Sequence, residues 1–169
     1  MTVRIEGRLG GVTNGYDFRL QGNEAGLSGR IGGLLRGKSV KLQRRTSQTN
    51  GRVGGVVVGF SVSGEVNAQG VDARLGGTVN GDSVRVEIGA QRARGRFSGR
   101  LSGKDVDLTL GAGQLSGRIG GRLDGKDVRA RFEGPVELAV LAAVLAFKAL
   151  EDQNQREQRA GRAGRDRRG

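Results

Sequence analysis

Residues 117–150 read GRIGGRLDGKDVRARFEGPVELAVLAAVLAFKAL, and the change of rhythm inside this stretch decides the fold. Up to Phe132, apolar and polar residues alternate with a period of two, the pattern of a half-buried strand. After Pro135 the alternation stops, and every residue from Leu138 to Phe147 is apolar. Pro135 suits the first turn of a helix, and Glu137 suits its positive end. A helix apolar on all sides is buried all round or lies in a membrane. This one is shorter than the roughly 20 residues a membrane span needs, so the residues before it are expected to enclose it. Lys148, Glu151 and Asp152 mark its expected return to water.

The first part of that stretch is the last copy of a repeat. GRLGG, GRIGG, GRVGG, ARLGG, GRFSG and GRIGG recur with arginine at Arg8, Arg30, Arg52, Arg74, Arg96 and Arg118, always the same distance apart and without a gap. Glycine follows three residues later at Gly11, Gly33, Gly55, Gly77, Gly99 and Gly121, and again at Gly15, Gly37, Gly59, Gly81, Gly103 and Gly125. Asn14-Gly15, Asn80-Gly81 and Asp124-Gly125 predict two-residue type I′ turns, whose central positions need positive φ. Such a turn places Gly121 opposite Val128 and Ile119 opposite Ala130. One face of the sixth copy then carries Leu115, Gly117, Ile119, Gly121, Leu123, Lys126, Val128, Ala130 and Phe132, and the other carries Ser116, Arg118, Gly120, Arg122, Asp127, Arg129 and Arg131. In the second copy Leu27, Gly29, Ile31, Leu35, Val40 and Leu42 share the apolar face. Matching faces on both arms are what an antiparallel hairpin requires. Glycines on the buried face predict either close approach of another backbone or strong curvature of the sheet.

Six hairpins give twelve strands. The expected fold is mainly β: a 12-stranded antiparallel barrel of six hairpin repeats around a central hydrophobic helix at about 136–150, forming a single domain over 1–152, with 153–169 a disordered basic tail. A β-solenoid with the helix as a cap accounts for the gapless repeat as well, though less well for the turns. Twelve strands closed around VELAVLAAVLAFKALED (136–152) resembles the Tubby C-terminal domain and its relatives, the phospholipid scramblases and LURP-one-related proteins. The resemblance covers the layout of residues 3 to 150 and the local sequence of the helix alone. It implies a binding scaffold, in Tubby's case for anionic membrane lipids. No site residue carries over.

Composition narrows the chemistry. There is no Cys and no His, which removes thiol nucleophiles, histidine bases and most metal sites. No cofactor, metal or catalytic residue is expected, and the reading is of a non-enzymatic protein. MTVRIEGRLGG lacks the apolar core of a signal peptide, so a cytoplasmic protein without a membrane span is expected. The formal charge of +12 points to anionic partners, a lipid surface or nucleic acid. Candidate anion contacts are Arg8, Arg30, Arg96, Arg118, Arg129 and Arg131, within an outward face that also holds Arg4, Arg19, Lys41, Arg44, Arg45, Arg85, Arg92 and Arg94. Cross-strand pairing of Arg52 with Glu65, Arg74 with Glu87, Arg100 with Asp105 and Arg122 with Asp127 would make that face ordinary instead. Val12, Leu34 and Val56 occupy equivalent outward positions and form a candidate apolar stripe for a protein contact or self-association.

Overall fold

The computed structural model describes residues 1–168 other than 12, 14, 34–36, 78, 100 and 122. Twelve strands run Thr2–Leu9 (β1), Tyr16–Asn23 (β2), Gly26–Ile31 (β3), Lys38–Arg45 (β4), Gln48–Gly54 (β5), Gly59–Asn67 (β6), Gly70–Leu75 (β7), Asp82–Ile88 (β8), Arg92–Gly99 (β9), Asp105–Gly111 (β10), Gln114–Gly120 (β11) and Lys126–Glu133 (β12), followed by one helix, Val136–Asp166 (α1). Every strand pairs antiparallel with its chain neighbours, and β1 pairs with β12 to close the barrel. The solenoid is therefore set aside.

The faces are those expected, but the register is not. Ile119 lies opposite Lys126, Gly117 opposite Val128 and Leu115 opposite Ala130. Each arm has slid by an even number of positions, which leaves the paired residues of the two strands on their expected faces, whereas Leu123, expected on the apolar face, lies in the loop between them and is 99% exposed. The Asn-Gly and Asp-Gly pairs are not hairpin turns of two residues. Gly81 and Gly125 end wide loops that precede β8 and β12, and Asn14 lies outside the described residues. The tight two-residue turns sit at the opposite end of the barrel, as between Asn23 and Gly26, Arg45 and Gln48, and Asn67 and Gly70. Asparagine side chains hold two of them: Asn23 Oδ1 accepts from the Ala25 and Gly26 N–H groups at 2.8 and 3.1 Å, and Asn67 Oδ1 from the Gln69 N–H at 3.0 Å. This is the local side-chain mimicry that makes asparagine a turn residue.

The wide loops explain the repeat motif. The repeat arginine stands at the edge of its loop and donates to the carbonyl three residues on: Arg8 to Gly11 at 2.7 Å, Arg52 to Gly55 at 2.6 Å and Arg74 to Gly77 at 2.8 Å. Arg30 instead reaches Gly37 O at 3.3 Å. The guanidinium lies over the second glycine, where a Cβ on Gly37 or Gly125 would strike the Nε of Arg30 or Arg118. The buried-face glycines have a different cause. A Cβ on Gly29 would run into the Arg19 carbonyl and stand 2.8 Å from Leu20 Cα on the neighbouring strand, and Gly51, Gly95 and Gly117 repeat that collision. The close approach is thus strand on coiled strand, the curvature alternative, rather than helix on sheet.

The helix occupies the bore. Residues from Leu138 to Leu150 are all buried, with Leu141, Ala142, Val144 and Leu145 fully so. Inward strand residues such as Ile5, Phe18, Ile31, Leu75, Leu108 and Ile119 pack around it, and the Phe97 and Phe147 rings meet 5.4 Å apart. Both ends are pinned by ion pairs. At the tight-turn end, Arg44 Nη2 lies 3.0 Å from Glu137 Oε1 and donates to Val66 O at 2.8 Å. Arg44 therefore faces inward, not outward with the exposed arginines. At the wide-loop end Lys148 is buried, not solvated: its Nζ lies 2.7 Å from Asp82 Oδ2, 3.2 Å from Asp152 Oδ1 and 5.1 Å from the centre of the Phe60 ring.

The helix continues well past its expected end near 150. Residues 153–166, expected as part of a disordered tail, are helical, and from 157 onward they stand exposed outside the wide-loop mouth. Gln, Glu, Arg and Ala are good helix formers, and the enclosed segment supplies the costly first turns.

Candidate anion-binding surface

The six arginines singled out by the repeat do not share one environment. Arg96 is bonded to Asp105 at 2.7 Å, and this hydrogen bond holds the Asp105 carboxyl below the usual carboxylate range. Arg118 pairs with Asp127 at 3.3 Å. Asp105 and Asp127 were expected opposite Arg100 and Arg122, which lie outside the described residues; because of the register shift they stand opposite Arg96 and Arg118 instead. For the same reason Arg52 faces Ser61, and Arg74 faces Ser83, to which it donates at 3.0 Å. No glutamate stands opposite either.

Arg8, Arg129 and Arg131, in contrast, converge on the closing seam. Together with Arg19 they line a concavity of about 850 Å³ on the outer wall, floored by Gly7, Gly111 and Ala130 and edged by Thr109, Gln114 and Ser116. Its arginines are opposed like to like. Arg8 faces Arg129 across β1 and β12, and Arg19 faces Arg30 across β2 and β3. Like charges directly opposite are destabilising. A third such pair, Arg85 opposite Arg96, is flanked on both sides by acids, Asp72 at 2.9 Å from Arg85 and Asp105 beside Arg96. The seam has less compensation. Asp17 takes up Arg8 at 2.8 Å. Glu6 lies between Arg19 and Arg131 in the register, yet among the described residues Arg19, Arg129 and Arg131 form neither an ion pair nor a side-chain hydrogen bond. The sequence places Arg19 on the outward face, but its position opposite Arg30 depends on the tight turn at Glu24-Ala25.

The second cationic element is the projecting helix. From Glu157 to Asp166, all exposed, it extends roughly 15 Å beyond the mouth at 1.5 Å per residue. Arg156, Arg159, Arg162 and Arg165 recur every third residue, so each is set back by about 60° and the four sweep about half the circumference. No side chain in residues 151–168 is apolar and larger than alanine.

At the mouth itself the repeat breaks down usefully. Tyr16, Lys38, Phe60, Asp82, Lys104 and Lys126 occupy one repeat position, the inward residue following each wide loop. They form a collar where the helix emerges. Asp82 and Phe60 hold Lys148, Lys104 pairs with Asp124, and burial beside this collar raises the Glu151 carboxyl above its ordinary value. Asp82 is an acid on the buried face, which the alternation pattern did not single out. Its signal lies in sharing a column with Tyr16 and Phe60.

Val12 and Leu34 of the expected apolar stripe lie outside the described residues. Val56 sits at a loop tip, 92% exposed, and not on the barrel wall. Val57, Val79 and Leu123 are comparably exposed on wide loops at the same end. Among the described residues no group of three or more Asp or Glu gathers as a metal site, and no helix is long and apolar enough to cross a membrane.

No family model, curated protein or solved structure matches this chain. The architecture it displays is a closed barrel of twelve antiparallel strands with one C-terminal helix through its centre.

Proposed function

We propose that the protein is a non-enzymatic scaffold that binds the phosphate backbone of a nucleic acid through its arginine-rich exterior. The observation that carries this reading is the seam, where Arg8 opposes Arg129 and Arg19 opposes Arg30 around a concave wall with too few acids to neutralise them. An anion laid across the seam relieves that repulsion. Arginine suits phosphate because its planar fork donates two parallel hydrogen bonds. Nucleic acid is favoured over a lipid surface by the projecting helix. Its guanidinium groups are distributed around the axis, as a groove flanked by two phosphate rows requires, and it has no apolar side chain large enough to enter a bilayer. We read the barrel as Tubby-like on its layout alone, which leaves an anionic vesicle as the competing ligand.

Fluorescence anisotropy on labelled duplex DNA, duplex RNA and single strands, beside flotation with anionic vesicles, tests the reading. Binding should fall linearly on a log–log plot against salt, because counterions are released from the phosphates. R19Q/R129Q should lower that slope by about two, at about 0.9 per phosphate contact. Vesicle binding without nucleic-acid binding, or an unchanged slope in the double variant, would overturn it. A second reading rests on Val56, Val57, Val79 and Leu123, whose exposure at one end favours a protein contact or self-association there. V56S/V79S/L123S should then lower the oligomeric state or release the partner with little dependence on salt.

A further inference from the structure

One member of the collar has no counterpart. Lys38 begins β4 with its side chain inside the mouth, opposite Ile31. The residue is 7% exposed, and its Nζ is buried without a hydrogen-bond partner. A buried ammonium group without an anion is costly. Its surroundings do not supply enough negative charge. Lys148 and Arg156 on α1 and Arg30 on β3 are cationic, Asp152 on α1 is the acid within reach, and the wall formed by Gly54, Gly55 and Val58 carries no charge. Asp152 is itself shared with Lys148.

Beside Lys38 lies a cavity of about 430 Å³ lined by Arg30, Gly37, Ser39, Gly54, Gly55, Val58 and Gln153. Its glycine walls have no side chains to fill it. Its donors outnumber their uses: Lys38 offers three N–H groups and spends none, and Arg30 offers five and spends one on Gly37 O at 3.3 Å. Gln153, whose Nε2 already donates to Glu157 Oε1 at 3.1 Å and whose Oε1 accepts from Arg156 at 3.0 Å, adds its second amide N–H, and Ser39 a hydroxyl. Donors approaching from β3, β4 and the helix suit a tetrahedral acceptor better than a flat one.

We propose that Lys38, Arg30 and Gln153 form a binding site for a small tetrahedral oxyanion of the phosphate class, either the free ion or the terminal group of a phosphate monoester. The site lies at the barrel mouth, outside the concave wall of the seam, with Arg30 at the border between them. The anion supplies the negative charge that Lys38 lacks and ties the β3–β4 and β5–β6 loops to the helix. Burial, then the charge on Arg156, lowers the Lys38 pKa from 10.5 to about 8. The amine is therefore charged at neutral pH, and a bound anion raises its pKa again.

The test is isothermal titration calorimetry on the full chain with inorganic phosphate and, in parallel, glycerol 3-phosphate, at matched chloride ionic strength. One site should be found near pH 7. Binding should weaken about tenfold or more near pH 10, where Lys38 is neutral and the charge-assisted hydrogen bond is lost. K38M keeps the packing of the stem and should lose binding about tenfold or more, whereas K41Q, which removes an exposed charge from the outer wall, should retain it. Q153E, which places a carboxylate in the cavity, should also lose binding. Tighter ester binding identifies a terminal phosphate, tighter inorganic phosphate a free ion, and either supports the site. No saturable binding of either anion, or equal binding by wild type and K38M, overturns it. Because both probes lack a polymer backbone, failure here leaves the seam reading standing, and failure at the seam leaves this one standing.

Discussion

Removing the Lys148 ammonium group gives a sharp test of how the helix is held. Lys148 Nζ bonds to Asp82 at 2.7 Å, both residues are nearly inaccessible to solvent, and the other Asp82 oxygen accepts the Leu101 N–H at 2.7 Å. K148M keeps the aliphatic packing against Phe60 and leaves Asp82 buried with one amide for company. Deleting one partner of a buried pair costs about 3–5 kcal/mol. For a chain of this size each kcal/mol lowers Tm by about 2–4 °C, so a fall of about 10–15 °C is expected. D82N should cost a similar amount, because it strands the ammonium group with Asp152. The double variant D82N/K148M removes both charges and retains an oxygen for the Leu101 N–H, so it should recover to within about 2 kcal/mol of wild type, as paired replacement of buried ions commonly does. Chemical denaturation followed by far-UV circular dichroism measures all three. The reasoning fails if K148M lies within about 1 kcal/mol of wild type, for then the pair is worth no more than one on the surface. It also fails if the two single losses simply add.

Three further expectations use other features. Ala142 is fully buried in the bore, and the chain has no cysteine, so A142C should resist thiol reagents until the protein unfolds, and rapid labelling of the folded protein would place the helix elsewhere. G29V should cost about 3 kcal/mol or more in denaturant midpoint analysis, since its side chain would strike the backbone of β2; a neutral effect would mean the strands can move apart. Between about pH 8 and the ordinary lysine value of 10.5 the unfolded chain holds a proton on Lys38 that the folded chain has lost, so without phosphate, stability should rise with pH across this window and K38M should flatten that rise. An equal slope in K38M would assign the effect to other groups.

Strand number, side-chain facing and the enclosure of the helix were legible because each rests on periodicity, which survives any even shift of register. The register itself was not, for the same reason: sliding Ile119 from Ala130 to Lys126 moves no side chain across the sheet. Asn-Gly and Asp-Gly pointed to tight turns, but in this fold Gly125 makes room for the guanidinium group of Arg118, and Gly15 and Gly81 for the carbonyls of Gly11 and Gly77 within their wide loops. The true turns are fixed by Asn23 and Asn67 acting through their side chains, a weaker signal in sequence. At the seam, Arg8, Arg129 and Arg131 were named as outward cations. Their convergence with Arg19 depends on which strands close the barrel, and no local pattern states that. Lys38 and Asp82 escaped because apolar alternation treats a buried charge as an exception. Only comparison of all six copies shows that their column surrounds the helix exit. The helical continuation past Leu150 was masked by polar composition, which describes an exposed helix and a disordered tail equally well.

The closing pair of strands repeats the geometry of every other junction. Gly7 meets Ala130 across the seam as Gly29 meets Leu20, Gly51 meets Leu42, Gly95 meets Val86 and Gly117 meets Leu108. The β wall thus has no inherent beginning, and nothing in the hairpin motif itself states that there should be six copies. The helix does. A barrel with one hairpin more would leave a void around its alanines, and a barrel with one fewer would shut it out. Residues 136–150 therefore serve as a mandrel that sets the count of the repeat. Duplication or loss of a hairpin in such a gene is tolerable only together with a thicker or thinner core helix.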